Sequence, residues 1–286
     1  MEAGDLVFSI AVSRDGKWIV GGTKSGQLAV WDAESDEKVS EFKGHDTVWA
    51  TDISSDATRI ASAWNNKTAH VWSRSTGEQL LGPWEHDDWV TAVKFSPNEQ
   101  FIATATSNRK SVRIYDSRDG RLLFDRPIRV SSPHNQSLAW VSDSKQLFAL
   151  SHDGTIHCLD VTNGRILSAW TIHSNDNPSC IALASSGAFI AVSAGSSVSF
   201  WDTATRKQIG PLIRHPYDVL YMAISANDDL VLSGGRRTNL RKLPDILPSS
   251  YFDSVRVFMC QRDPIRHDSP AATDTQSHLH IGWSTS

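Results

Sequence analysis

The sequence predicts an all-β protein, a β-propeller of about six four-stranded blades followed by a short disordered tail. The first observation behind this prediction is a repeat, since one strand-like segment recurs at spacings of 41, 43, 44 and 42 residues. Its copies carry near their ends Trp31, Trp72, Tyr115, Leu159 and Trp201. The second is composition, because short β-branched and aromatic runs alternate with Gly, Asp, Asn and Ser turns. The third is that no window shows the sustained 3.6-residue apolar period of a helix.

Each repeat unit contains four strand-like segments in the same order. A first apolar strand ends in a turn such as SRDG at 13–16, and a second strand such as WIVGG at 18–22 follows it. The third strand is separated from a short fourth strand by a polar turn. A four-stranded sheet cannot bury both of its faces alone, so the units must stack on one another. Radial closure leaves few exposed sheet edges, which favours a propeller.

The predicted single domain covers residues 5–260. Its units are 5–44, 45–85, 86–129, 130–172, 173–214 and 215–245. The sixth unit is incomplete, because residues 238–243 are a degraded copy of the third strand. The apolar run 254–260 is a candidate closing strand, and residues 262–286 form the predicted disordered tail. An incomplete seven-bladed ring is the alternative, and an open ring would expose sheet edges and invite self-association.

The overall composition excludes several classes of protein. The 286 residues include 28 Lys and Arg against 32 Asp and Glu, a net charge of −4, which argues against a strongly basic nucleic-acid binder. No apolar run is long enough to predict a membrane span. The start lacks a basic segment followed by a long apolar run, so a cytoplasmic or nuclear location is expected rather than secretion. The three cysteines Cys158, Cys180 and Cys260 are too few for a disulfide framework.

The pairs Gly44-His45, Trp31-Asp32 and Trp201-Asp202 occur in phase with the repeat. In these residues the chain resembles the WD40-repeat family, whose units of about 40–45 residues carry Gly-His early and Trp-Asp late. The resemblance covers about residues 5–245 and implies a propeller that binds other proteins. The run PDILPSSYF at 244–252 resembles expanded fungal members of the family.

The resemblance also implies a structural tetrad of His, Ser or Thr, Asp and Trp in each blade. The positions that match are incomplete in every unit: His45, Ser62, Asn66 and Trp72 in the second, His86 and Thr104 in the third, Asp153 in the fourth and Trp201 in the fifth. In the second unit, an Asn stands where the family has Asp. An amide oxygen accepts a hydrogen bond without the charge-assisted strength of a carboxylate. We therefore expect a correct fold of lower stability than is usual for the family.

Eleven histidines prompt a search for metal or acid–base sites. His45, His86, His173 and His215 occupy the position at which the family uses His structurally, which we favour over a catalytic role. His267, His278 and His280 lie in the predicted tail, where a flexible segment offers at most a weak metal site. His157 and Cys158 are adjacent on a strand and point to opposite faces, so they cannot form a nucleophile–base pair. We expect no catalytic residue, no metal and no cofactor.

The candidate partner-binding surface is a rim of the ring, near the loops that precede the first and third strands. Its residues are Trp49, Trp64, Trp89, Arg109, Tyr217, Arg236 and Arg237. Aromatic and Arg side chains are the types most often found at binding hot spots. The alternative for Trp49 and Trp89 is that they pack beneath the loops. The basic run formed by Arg236, Arg237, Arg241 and Lys242 could contact an acidic peptide or a phosphate, or be a solvated edge.

The function that we favour is a non-catalytic scaffold that binds proteins or peptides on the propeller rim and in the central channel. One alternative is a truncated or decayed paralogue without an independent function, since the tetrads and the last blade are incomplete. A second is a propeller enzyme, a hydrolase or lyase with its active site in the channel. A third is a reader of nucleic acid or phosphoinositide through the basic run, which the net charge disfavours. No membrane partner is expected.

Overall fold

The computed structural model describes residues 4–44, 46–107, 111–124, 128–129, 133–172, 178–235 and 238–252. Within them the chain forms six antiparallel sheets arranged as the blades of a propeller, five with four strands and one with three. The predicted all-β propeller with six blades is therefore confirmed. The extent of the domain stays a prediction, because the candidate closing strand 254–260 and the predicted tail 262–286 lie outside the described residues.

The strands of each blade follow one another in sequence and pair with their neighbours. Blade 1 contains β1 Val7–Val12, β2 Trp18–Thr23, β3 Gln27–Asp32 and β4 Lys38–Lys43. Blade 2 contains β5 Val48–Ile53, β6 Arg59–Trp64, β7 Thr68–Ser73 and β8 Gln79–Glu85. Blade 3 contains β9 Val90–Phe95, β10 Phe101–Thr106, β11 Ser111–Asp116 and β12 Ile128–Arg129.

The second half of the chain repeats this order, with an incomplete last sheet. Blade 4 contains β13 Pro133–Trp140, β14 Gln146–Ser151, β15 Thr155–Asp160 and β16 Arg165–Thr171. Blade 5 contains β17 Pro178–Leu183, β18 Phe189–Ala194, β19 Ser197–Asp202 and β20 Gln208–Arg214. Blade 6 contains β21 Val219–Ile224, β22 Leu230–Gly235 and β23 Thr238–Lys242. Two short 3-10 helices follow, Leu243–Asp245 and Ser249–Tyr251.

A serine closes the first hairpin of four blades in the same way. Its hydroxyl oxygen accepts a hydrogen bond from the backbone N–H five residues further on, where the second strand begins. All four distances are 2.9 Å, for Ser13 with Trp18, Ser54 with Arg59, Ser96 with Phe101, and Ser225 with Leu230. Local side-chain bonds of this kind favour a turn over continued strand. The recurring serine thus sets where the first hairpin turns in these four blades.

The core lies between neighbouring blades rather than within any one of them. Apolar clusters join blade 1 to blade 2, blade 2 to blade 3, and so on to blades 5 and 6. Alanines occupy the middle of several second strands and are fully buried, among them Ala61, Ala103, Ala149 and Ala191. A small side chain at this position lets the next sheet pack closely against the blade. Each blade therefore depends on the following one to cover its apolar face.

The cover is incomplete where blade 6 meets blade 1. Ile10 of β1 and Ile181 of β17 pair with the same position of the second strand, yet their exposed fractions are 61% and 5%. Leu240 of β23 is 62% exposed, whereas Phe200 at the matching position of β19 is fully buried. The Tyr221 hydroxyl lies 3.5 Å from the backbone oxygen of Phe8, so the two blades approach each other at one end. We call this apolar junction, with Ile10 and Val12 on one side and Leu232 and Leu240 on the other, the seam.

A pair of matched substitutions tests whether the seam is bare in solution. Ile10→Ala should change the free energy of unfolding by less than about 0.5 kcal/mol, because an exposed side chain loses little burial. Ile181→Ala, at the same position of a covered blade, should cost about 2–4 kcal/mol. Urea denaturation followed by circular dichroism measures both. Equal costs would show that another part of the chain, or another molecule, covers Ile10.

Candidate functional site

Six apolar or aromatic side chains lie at one end of four consecutive blades, where the first strands begin. We call this set the upper rim; it consists of Leu6, Phe8, Trp49, Trp89, Tyr217 and Leu220. Leu6, Trp89, Tyr217 and Leu220 are exposed, and the two others are half-buried. Exposed apolar side chains that recur at one end of neighbouring blades are candidates for a binding site. Trp49, Trp89 and Tyr217 are the members that sequence analysis singled out.

Two rings of the upper rim are held by contacts between blades 1 and 2. The Trp49 ring stacks on the Phe8 ring with centroids 5.2 Å apart and an interplanar angle of 9°. Its indole Nε1 donates a hydrogen bond to Asn65 Oδ1 at 3.2 Å. Stacking and a hydrogen bond together fix the ring in place while part of its surface stays accessible. Trp49 thus packs against Phe8 and also faces solvent, and its role in partner binding stays a prediction.

Trp89 and Tyr217 differ from Trp49 in being exposed at their own loops. Trp89 is 44% exposed and Tyr217 is 41% exposed. The backbone N–H of Trp89 donates to Asp88 Oδ1 at 2.8 Å, and its carbonyl accepts from Ser107 N at 3.1 Å. These bonds hold the backbone at Trp89, from which the exposed indole projects.

The sequence did not single out Leu6, Phe8 and Leu220, although these three residues stand at recurring positions of the repeat. Phe8, Trp49 and Leu220 are each the second residue of a first strand. Leu6 and Trp89 each stand directly before a first strand. An alignment of the units by their first strands would have placed these residues together.

Trp64 does not belong to this surface. It is 1% exposed, and its indole Nε1 donates to Ser62 Oγ at 2.7 Å inside blade 2. Its ring fills the space beside Gly44, where any Cβ atom would lie 1.9 Å from a ring carbon. The glycine of the Gly-His pair is therefore required by the Trp64 ring. The predicted surface residues Arg109, Arg236 and Arg237 lie outside the described residues, and so does His45.

The cavity behind the upper rim is the central channel. It has a volume of about 400 Å³ and is lined by first strands of blades 6, 1, 2 and 3. Its wall combines apolar side chains with the hydroxyls of Ser9 and Thr51 and with an ion pair between Lys94 Nζ and Asp52 Oδ1, which are 2.8 Å apart. Asp52 Oδ2 also accepts from the backbone N–H of Phe95 at 2.8 Å. The carboxylate is thus committed to joining blades 2 and 3.

In blade 2, the hydroxyl of one buried serine joins two indole rings. The buried Ser62 Oγ accepts from Trp64 Nε1 at 2.7 Å and from Trp72 Nε1 at 2.8 Å. Asn66 lies in the turn before the third strand, where its Oδ1 accepts from the Thr68 hydroxyl at 2.6 Å. Thr68 Oγ1 in turn lies 2.8 Å from His70 Nε2.

At the start of blade 3, the buried His86 lies within hydrogen-bonding distance of groups on three strands. His86 Nδ1 lies 2.9 Å from the Trp84 carbonyl oxygen, so it carries the proton and donates it. His86 Nε2 then accepts from the Thr104 hydroxyl at 2.9 Å, and the Tyr115 hydroxyl lies 3.3 Å away. Burial lowers the pKa of His86 to about 4. The ring is therefore neutral at pH 7 and joins three strands.

Blades 4, 5 and 6 each have a different set of hydrogen-bonded polar side chains. Asp153 Oδ1 accepts from the backbone N–H of Thr155 at 2.9 Å, and Trp201 Nε1 donates to Ser199 Oγ at 2.9 Å. In blade 6, His215 Nδ1 accepts from Asn239 Nδ2 at 3.0 Å, and its Nε2 lies 3.3 Å from Ser233 Oγ. The sequence predicts His215 as a structural histidine, but it does not single out its partners Asn239 and Ser233.

Three segments of the chain match the sequence profile of a known protein family. The sequence profile of the family described as "WD domain, G-beta repeat" matches residues 2–32, 36–73 and 79–116. Those segments cover strands of blades 1, 2 and 3, and blades 4 and 5 repeat the same four-stranded sheet. The chain thus contains three WD40 repeats within a six-bladed β-propeller.

Curated relatives of this WD40 propeller are distant. The chicken serine-threonine kinase receptor-associated protein is 24% identical over 242 residues, which are 83% of this chain and 66% of the relative. Eukaryotic translation initiation factor 3 subunit I of Neurospora crassa is 25% identical over 179 residues, 59% of this chain and 51% of the relative. The chain thus spans between half and about two thirds of the length of these relatives.

A solved structure shares the fold of the WD40 propeller. Hydrazine synthase of Kuenenia stuttgartiensis superposes with a TM-score of 0.75 at 18% identity, over 87% of this chain and 82% of that chain. The likeness concerns the fold alone. In the described part of the chain, no group of three or more His, Cys, Asp or Glu side chains could hold a metal ion. No helix among the described ranges is long and apolar enough to cross a membrane.

The buried His86 predicts a pH dependence of stability. Its folded-state pKa is about 4 and its ordinary value is 6.5, so the unfolded chain binds the proton first as the pH falls. The contribution is complete above pH 6.5 and is lost as the pH falls to 4, by about 3 kcal/mol in total. His86→Gln should lower stability at pH 7 and flatten this decline. Urea midpoints measured between pH 7 and pH 4 give both effects.

His152→Gln is the matched control, because His152 is exposed in a turn of blade 4. This variant should keep the decline of the unmodified protein. An equally steep decline in His86→Gln would show that other groups cause it.

Proposed function

We propose that this WD40 propeller is a non-catalytic scaffold whose upper rim binds an apolar segment of a protein or peptide. The observation that carries the proposal is the recurrence of apolar and aromatic side chains at the start of the first strands of blades 6, 1, 2 and 3, with Trp89, Tyr217 and Leu220 exposed. Monomeric domains seldom expose large contiguous apolar patches that have no binding role.

The rim has the physical properties of a prepared binding surface. Its side chains stand on or close to first strands, which pair with second strands on either side of a β-bulge at Phe8, Trp49 and Leu220. A partner therefore meets rings that are already positioned, and little conformational entropy is lost on binding. Trp and Tyr side chains bury much apolar surface and keep a polar atom for hydrogen bonding, which makes them frequent hot spots.

The names of the relatives agree with a scaffold role. One relative is described as associated with a receptor, and the other as a subunit of a translation initiation factor. Both descriptions concern proteins that assemble with other proteins. The identity of this chain's partner, a location in the cytoplasm or nucleus and a fungal origin stay predictions.

The buried titratable groups support a structural rather than a catalytic role. His86 is neutral at pH 7 and lies within hydrogen-bonding distance of three side-chain or backbone groups. Burial raises the pKa of the Cys180 thiol to about 12, so it is not the thiolate nucleophile at pH 7. The channel carboxylate of Asp52 is paired with Lys94. These groups are engaged in holding strands together, which favours the scaffold over the hydrolase or lyase alternative.

Removing the exposed rings of the upper rim should abolish binding without affecting the fold. Peptides selected from a displayed library against the immobilised protein serve as probes, with affinity measured by fluorescence anisotropy. Trp89→Ala combined with Tyr217→Ala should weaken such peptides about 30-fold or more, since one hot-spot residue contributes about 2 kcal/mol.

Leu167→Ala is the control, because Leu167 is equally exposed but lies on the fourth strand of blade 4, away from the rim. It should leave the affinity unchanged within twofold, and thermal melts should match for all variants. Peptides that bind the rim variant and the control equally well would contradict the proposal. Turnover in a hydrolase and lyase panel, lost on Asp52→Asn, would favour the channel enzyme instead.

A further inference from the structure

Blade 6 differs from the other blades in having a free outer edge. Its last strand is β23, whereas blades 1 to 5 each carry a fourth strand in the described part of the chain. Four of the five residues of β23 are exposed, including Leu240. An unpaired edge presents backbone N–H and C=O groups that can pair with another strand. The structure therefore offers a site for one added strand.

The chain leaves β23 and then returns to the junction of blades 5 and 6. Leu243 directly follows β23, is fully buried, and donates its N–H to the Asp229 carbonyl at 2.7 Å. Leu247 and Phe252 belong to the same apolar cluster as Leu243. The Tyr251 hydroxyl donates to Asp202 Oδ2 at 2.7 Å and anchors this segment to the end of β19. The described chain thus reaches Phe252 within the cluster that adjoins the end of β23.

The next residues have the sequence pattern of a fourth strand. The fourth strand β4 reads KVSEFK, with Val39 second and Phe42 fifth. Residues 254–260 read SVRVFMC, with Val255 second and Phe258 fifth. Other fourth strands also open with a polar residue followed by an aliphatic one, as in QLLGPWE, RILSAWT and QIGPLIR. In blade 1, Phe42 packs against the cluster between blades 1 and 2.

We propose that residues 254–260 of this chain add to the free edge of β23 as the fourth, antiparallel strand of blade 6. The segment is tethered by residue 253 to the anchored Phe252, so pairing within the chain has a high effective concentration. An edge that is filled in this way no longer serves as a template for pairing between molecules. The segment thus acts as an internal cap on the incomplete blade.

The register of the added strand follows from blade 1. Gly22 and Gly234 are each the fifth residue of a second strand, and they pair with Leu28 and Thr238. Thr238 of β23 therefore corresponds to Leu28 of β3. Ala29 pairs with Glu41 in blade 1, and the matching pair in blade 6 is Asn239 with Val257. The Gly44 N–H donates to the Gly26 carbonyl, which makes Gly26 and Gly44 a hydrogen-bonded pair. Hydrogen-bonded and non-hydrogen-bonded pairs alternate along an antiparallel ladder. Ala29 and Glu41 lie three positions further on, so they and the matching pair in blade 6 are non-hydrogen-bonded pairs. The Cα atoms of Asn239 and Val257 should lie about 4.5 Å apart, within reach of a disulfide.

Disulfide trapping in the full chain tests this register. Asn239→Cys with Val257→Cys, in a Cys260→Ser background, should form an intrachain disulfide under mild oxidation, read by non-reducing peptide mapping. The control, Asn239→Cys with Ser254→Cys, should not, because three residues along a strand separate the thiols by about 10 Å. Equal cross-linking of both pairs, or of neither, would overturn the proposal. A disulfide between two chains would assign the edge to a second copy instead.

Hydrogen exchange gives an independent result that does not depend on Asn239. In this register Arg256 faces Leu240 in a hydrogen-bonded pair, as Ser40 faces Val30 in blade 1. Arg256→Pro therefore removes a ladder N–H and disfavours strand pairing, so amides of β23 should exchange at least tenfold faster than in the unmodified chain. Thr273→Pro, further along the same segment, should leave them unchanged. Equal exchange in both variants would show that residues 254–260 do not pair with β23.

Discussion

The whole structure depends on the need of every blade to have its apolar face covered by the next blade. The clusters of buried side chains lie between sheets, and fully buried alanines such as Ala61 and Ala191 let successive sheets pack closely. Burial of apolar surface is the main favourable term in folding, and here it arises only from contacts between blades. A blade at an uncovered junction therefore keeps its strands but loses much of that stabilisation. This is the situation of blades 6 and 1 at the seam.

The buried polar groups show how a degenerate repeat keeps its fold. Ser62 accepts from two indoles, His86 joins Thr104 to the Trp84 carbonyl, and His215 joins Asn239 to Ser233. A buried polar atom without a partner costs more than a modest change of partner. Each blade has therefore found its own set of partners, and no common tetrad is needed to keep these strands together. The high number of Trp residues is partly explained by these indole donors.

The proposed binding surface and the three-stranded blade lie in the same half of the ring. The upper rim covers blades 6, 1, 2 and 3, and the free edge of β23 and the seam both belong to blade 6 or blade 1. A partner held by Tyr217 and Leu220 would thus rest on the blade that has the least cover from its neighbours. Filling the β23 edge would make that part of the platform more rigid, which links the proposed fourth strand to the proposed binding surface through blade 6.

The sequence by itself determined the repeat, the all-β fold and the places where the hairpins turn, because these depend on local preferences. Ser54 and Ser96 turn their hairpins through bonds to residues only five positions away. It also singled out Trp89 and Tyr217 as aromatic residues near the entries of their units; both are exposed, and their role in binding stays a prediction. The tertiary structure decided what depends on neighbours that are distant in sequence. Trp64 is buried because Gly44 makes room for it, and Ile10 is exposed where Ile181 is buried because no blade covers it.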